Sequence, residues 1–216
     1  MKYLFLAIFI ITTTIHLYAS LKKNQKLRNY SKPWILLSLL GYYLCASREI
    51  KIVVVLALIF SWIGDMFLII PGVKWFTIGG ISFMISHFFF ILSYSEFIDF
   101  QSLNKVIVVL LICLFVLAAS IIFKYLKPYL PKPLFYPMYL YLIINGMMNC
   151  FAWFRSMCCS GWPCVVTAIG ALLFFISDSS LFFVRFNSNS RLKTHFLVML
   201  TYSIGELLIV LGLVLA

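Results

Sequence analysis

Asp65, in Ser61-Trp-Ile-Gly-Asp-Met-Phe-Leu68, and Asp178, in Phe174-Phe-Ile-Ser-Asp-Ser-Ser-Leu181, stand inside apolar stretches long enough to cross a bilayer. A carboxylate at that depth costs several kcal/mol unless it faces a bundle interior, a partner or water, and it is retained where protons or ions are handled. Glu206 is a third acid of this kind. His87, in Ile85-Ser-His-Phe-Phe-Phe-Ile91, adds an imidazole that a neighbouring carboxylate can tune towards neutrality. Such a set suits general acid/base catalysis, or the proton-coupled movement of a small molecule or lipid.

Spacing groups the remaining polar residues with these acids. Ser61 precedes Asp65 by one helical turn, and Gly64 beside it permits a close approach. Tyr141, Asn145 and Asn149 recur every four residues and align on one helical face, Tyr202 and Glu206 repeat the same interval, and Ser177 to Ser180 form a polar knot around Asp178. Hydrogen bonding between helices would account for the asparagines and serines, but three acids exceed what packing requires. His16 and His195 share neither spacing nor segment with His87, so no metal site is expected, and the many Phe and Trp residues read as packing rather than a cofactor box. Arg155, Arg185 and Arg191 lie at or beyond span ends, where they are expected to snorkel to the interface.

The elements that must position these groups are membrane helices. Of 216 residues, 64% are hydrophobic and 11% charged, which excludes an ordinary soluble domain. Eight stretches approach the roughly 20 apolar residues that a bilayer demands: Tyr3 to Ser20, Pro33 to Ser47, Ile52 to Ile70, Trp75 to Tyr94, Val106 to Phe123, Leu134 to Phe154, Trp162 to Val184 and His195 to Leu215. Brief connections, marked by Pro71-Gly72, Pro128, Pro131, Pro133 and Gly161, predict one all-α, eight-helix bundle over the whole chain, with a kink at Pro137. Met1 to Ser20 resembles a signal peptide, but the basic cluster after it predicts a retained span.

The net charge of +11 belongs to topology. Odd-numbered loops carry about twelve Lys and Arg, against about five for the N-terminus and even-numbered loops, so the odd loops are expected in the cytoplasm and both termini outside. If the source is bacterial, the membrane is the inner one. The basic stretch Lys22 to Lys32 reads as a loop, which leaves no surface for nucleic acid. Cys45, Cys113 and Cys150 lie in apolar segments, and Cys158, Cys159 and Cys164 read as loop thiols, with a disulfide or a metal as the alternatives.

Four landmarks in order, Gly64-Asp65-Met-Phe-Leu68, Gly80 to His87, Phe174 to Ser179, and Thr201-Tyr202 with Glu206-Leu-Leu-Ile209, resemble the YhhN family of membrane proteins, which includes the transmembrane protein 86 lysoplasmalogenases. Tyr141 and Met148 also look like family positions, whereas Phe90 stands where the family often has Tyr and Glu206 where it typically has Gln. The resemblance implies an eight-helix enzyme that hydrolyses the vinyl-ether bond of lysoplasmalogens, releasing a fatty aldehyde and a glycerophospho-head group. That reaction needs an acid, a base and stabilisation of an oxocarbenium ion. Asp65 and Asp178 are expected to face one another as this pair, with His87 tuning or relaying, Tyr202 and Glu206 orienting, Ser61, Tyr141 and Ser177 lining the site, and Asn145 and Asn149 holding water or glycerol. The expected partners are a lysophospholipid or similar amphiphile and the membrane lipids, with no cofactor.

Overall fold

The computed structural model describes residues 1–159, 161–187 and 195–216; Arg191 lies outside them. Among the described residues there are eight α-helices and no strand: α1 (Lys2–Leu21), α2 (Gln25–Ala46), α3 (Ile52–Ile69), α4 (Val73–Ser95), α5 (Lys105–Leu126), α6 (Phe135–Cys158), α7 (Trp162–Phe186) and α8 (His195–Leu215). The expected all-α bundle of eight helices is what forms. Two single 3-10 turns, Lys127–Tyr129 and Lys132–Leu134, carry the chain from α5 to α6. Their prolines remove the donors that would let α5 continue.

Six helices, all but α2 and α6, are long and apolar enough to cross a membrane, which makes this a multi-pass membrane protein. At 22 and 24 residues α2 and α6 are also long enough, but both carry more polar residues. In α6 those residues turn inward: Tyr141, Asn145, Asn149 and Arg155 are all buried. Conversely, α5 shows Val109, Leu110, Leu114 and Leu117 outward, each more than half exposed, as a lipid-facing helix should.

One boundary and one expected kink differ from expectation. The basic stretch after α1 is not a loop: Asn24 accepts a hydrogen bond from the Leu27 backbone N–H at 3.2 Å, and α2 starts there, two turns before the apolar run. Lys26, Arg28 and Lys32 therefore ride on a helix, and Pro33 lies within it. Pro137 falls in the first turn of α6, where backbone N–H groups have no partner in any case, so it forfeits no hydrogen bond and the expected kink has no cause.

The tightest pairs are α1 with α2, α3 with α4, and α7 with α8; α2 also packs on α3, α4 and α7 on α6, and α1 and α2 on α8, which closes a ring, while α5 lies outside on α6 and α7. Small residues set two of these seams. A Cβ on Gly64 would sit 3.1 Å from the Gly79 carbonyl oxygen and 2.6 Å from the Phe83 ring, and one on Gly170 would sit 2.7 Å from the Gly205 carbonyl oxygen. Backbones that close fix the depth and rotation of α3 and α7, the helices that carry Asp65 and Asp178.

A Cβ on Gly205 would meet the Gly170 carbonyl oxygen at 2.9 Å and the Phe174 backbone nitrogen at 3.0 Å. Gly205→Leu is expected to cost about 1–3 kcal/mol by overpacking and to lower the melting temperature by roughly 5 °C, read by fluorimetry on detergent-purified protein. An unchanged melting temperature would contradict the close α7–α8 seam.

Candidate functional site

The two aspartates line one cavity at the end of the bundle where α1 and α3 finish and α2, α4 and α8 begin. Its interior holds about 70 Å³, enough for a few waters, and counted out to its open mouth it measures about 720 Å³. Asp65 is 3% exposed and Asp178 5%, so each must be satisfied from within the protein. They sit within electrostatic reach of one another.

Asp65 has both oxygens engaged. Lys32 Nζ from α2 lies 3.0 Å from Oδ1, and Tyr202 Oη from α8 donates to Oδ2 at 2.9 Å. Two donors, one of them a cation, describe the surroundings of an ionised carboxylate. Lys32 falls in the basic stretch expected to be a loop; the Asn24 cap, which starts a helix there, is the sequence signal that points to it.

Asp178 is held differently. Tyr141 Oη donates to Oδ2, and Asn145 Nδ2 donates to the same oxygen at 2.8 Å. Among the described residues Oδ1 forms no hydrogen bond, although Asp178 lines the cavity. One oxygen that accepts twice beside one free to carry hydrogen is the pattern that suits a neutral carboxyl. His87, fully buried, places Nε2 3.2 Å from Tyr141 Oη and 3.6 Å from Asp178 Oδ2. Because the Tyr141 hydroxyl gives its hydrogen to Asp178, Nε2 must donate to Tyr141, and the chain His87, Tyr141, Asp178 runs in one direction.

An aromatic floor separates the two clusters. Phe83 and Phe174 pack edge to face at 6.0 Å, and both rings touch Tyr202, at 6.2 and 5.4 Å. Phe174 also meets His87 at 5.1 Å. These rings keep the phenol of Tyr202 and the imidazole of His87 in fixed orientations.

The other expected residues divide. Asn149 Nδ2 donates to the Asn145 backbone oxygen at 3.0 Å and side-chain oxygen at 3.3 Å, so it supports Asn145 and does not reach the cavity. Ser177 lines the cavity, but its hydroxyl donates to the Val198 carbonyl at 2.8 Å and ties α7 to α8. Ser61 shares a hydrogen bond with Ser86 at 2.7 Å and makes none with Asp65, even though helical spacing placed the two on one face. Glu206 does not hold either aspartate: it is wholly buried, and the hydroxyl that faces it is that of Ser61 on α3.

Several cavity residues fell outside the expected site. Arg28 and Arg185 line the cavity with Lys32, His16 and His195. Arg185 stacks over Phe76 with its guanidinium carbon 5.9 Å from the ring centroid, and Arg28 Nε has no partner. Positive charge at a span end already has a topological reason, which masks a second use. A narrower apolar groove between α4 and α6, lined by Gly80, Ile81, Met84, Pro137 and Met138, shares Phe76 with the main cavity and Tyr141 with the Asp178 network. Among the described residues no cluster of His, Cys, Asp and Glu could hold a metal ion, and all six cysteines are free.

No curated protein and no solved structure gives a significant match to this chain. The family model for the YhhN family matches residues 27–213, from the first turns of α2 to the last turn of α8, so that every residue of both aspartate clusters falls inside it. The chain belongs to the YhhN family.

Proposed function

We propose that this protein is a membrane-embedded ether hydrolase that cleaves the vinyl-ether bond of lysoplasmalogens. The observation that carries this reading is the unequal treatment of two carboxyls in one cavity: Asp65 satisfied at both oxygens beside Lys32, and Asp178 bonded at Oδ2 alone. Environments that separate two carboxyls in this way assign a proton donor and an ionised partner. Family membership supports the same class of reaction.

In this mechanism Asp178 gives the proton on Oδ1 to the outer alkenyl carbon, and the positive charge develops on the carbon attached to the ether oxygen. The Asp65 carboxylate stabilises that oxocarbenium ion, an electrostatic effect that is strong in a water-poor site. Water adds to the charged carbon and its proton passes to Asp178, restoring the acid. Collapse of the hemiacetal moves the hydroxyl proton to the glycerol oxygen and releases aldehyde and alcohol. His87 and Tyr141 hold Asp178 in place through their directed hydrogen bonds, and Tyr202 does the same for Asp65.

The rest of the cavity fits an amphiphile. Arg28, Lys32 and Arg185, which line the same cavity as the acids, suit the phosphate of the head group, and the Gly80 groove suits an alkenyl chain. The mouth is at the odd-loop end, so the positive-inside rule would admit substrate from the cytoplasmic leaflet. A transporter would typically use discontinuous helices for its site, whereas α3 and α7 run unbroken through Asp65 and Asp178.

Purified Asp65→Asn and Asp178→Asn variants with wild-type melting behaviour are expected to lose about 100-fold or more in aldehyde release from a lysophospholipid panel of vinyl-ether, alkyl-ether and acyl forms. Wild-type rates in either variant would refute the assignment. Arg185→Gln should raise KM on the order of tenfold with kcat nearly unchanged, since it removes uniform binding of the head group. Gly80→Leu should raise KM for long alkenyl chains and spare short ones; equal effects on both would remove the chain from that groove.

A further inference from the structure

Arg155 sits in the last turn of α6, at the opposite end of the bundle from the two aspartates, and it does not snorkel to the interface as expected: its side chain is 1% exposed. Nη1 donates to Thr167 Oγ1 at 2.9 Å, and the guanidinium carbon lies 5.2 Å from the centroid of the Phe97 ring. Nε has no partner, and no carboxylate pairs with Arg155 among the described residues. A buried guanidinium without a counter-charge is strongly disfavoured unless something supplies one.

Beside it lies a cavity of about 270 Å³, larger inside than the aspartate cavity, between the α2–α3 connection and the ends of α4, α6 and α8, the last contributing Leu213, Val214 and Ala216. Ser47, Arg48, Lys51 and Arg155 supply its donors. Lys51 is 4.0 Å from the centroid of the same Phe97 ring, so two cations share one aromatic side chain. Lys51 also pairs with Glu96, and Glu49 contributes a carboxylate to the lining. Neither acid pairs with Arg155 or Arg48. The Ser47 hydroxyl is a second buried polar group with no partner. The Tyr43 hydroxyl accepts the Lys51 backbone N–H at 3.1 Å and anchors the connection that carries Ser47, Arg48 and Lys51.

Arg48, Arg155 and the unpartnered Ser47 hydroxyl face one space whose side-chain carboxylate, Glu49, pairs with neither arginine, while Lys51 is already paired with Glu96, so the two arginines and Ser47 are left in need of an acceptor. A tetrahedral oxyanion meets that need better than a monatomic ion, because separate oxygens can take the planar fork of Arg155, the Arg48 guanidinium and the Ser47 hydroxyl together. Basic pockets between membrane helices bind phosphate head groups by the same chemistry. We infer that the Arg155 cavity is a phosphate-binding site, distinct from the aspartate cavity and on the other face of the membrane, built for the head group of an anionic phospholipid or for a soluble phosphate.

The test is native mass spectrometry of the full chain from detergent, in an Arg28→Gln/Arg185→Gln background that removes cations of the first cavity. The ligands are dioleoyl phosphatidic acid, dioleoylglycerol with the same tails and no phosphate, and inorganic phosphate. Adducts with phosphatidic acid but not with dioleoylglycerol, reduced about tenfold by Arg155→Gln and several-fold by Arg48→Gln, establish a lipid phosphate. An inorganic phosphate adduct with the same sensitivity establishes a soluble one. Where Arg155→Gln fails to fold, Arg48→Gln combined with Ser47→Ala at the cavity lining decides. Equal retention of dioleoylglycerol, no adduct at all, or adducts indifferent to these substitutions would overturn the inference.

Discussion

A carboxylate inside a bilayer has no water to satisfy it, and the packing around Asp65 and Asp178 answers that constraint. Asp65 on α3 is held from α2 by Lys32 and from α8 by Tyr202. Asp178 on α7 is held from α6 by Tyr141 and Asn145, with His87 of α4 behind Tyr141. Six of the eight helices thus meet through two acids, while α1 covers α2 and α8 and α5 lies outside on α6 and α7. Taking away one partner would strand a buried charge or an unpaired polar atom, so the contacts that organise the bundle are also the contacts that tune the site. The glycine seams matter for the same reason. A hydrogen bond between side chains 137 positions apart requires helices held at fixed depth and rotation, which close backbone contact provides.

Much of this was legible from residue types because the membrane imposes both a length and a polarity on each span. Apolar runs located the helices, and acids within those runs located the cavity. What escaped followed from the same rule. The start of α2 is basic and therefore looks like a loop when apolarity is the guide, although Asn24 caps it. Lys32, Arg28 and Arg185 sit where topology alone would put cations, so nothing in their spacing distinguishes a salt bridge or a cavity lining from orientation.

Helical spacing also has a limit that Ser61, Asn149 and Glu206 make plain. It reports which residues share a face but not what that face meets. Ser61 meets Ser86, Asn149 meets Asn145, and Glu206 faces Ser61 and neither aspartate. Arg155 is the converse case: a span-end arginine that packing has turned inward to Thr167 and Phe97. Pairings between distant helices depend on rotations that the order of residues along one helix does not encode.

In the proposed reaction a carboxylic acid in this cavity protonates an alkenyl carbon. Hydrolysis of a lysoplasmalogen in heavy water, with mass analysis of the aldehyde, reads that step directly. A single deuterium on the carbon next to the carbonyl is the predicted result, because Asp178 would deliver a solvent-derived hydrogen there. Aldehyde without deuterium at that carbon, or no aldehyde from the folded protein, would contradict the account.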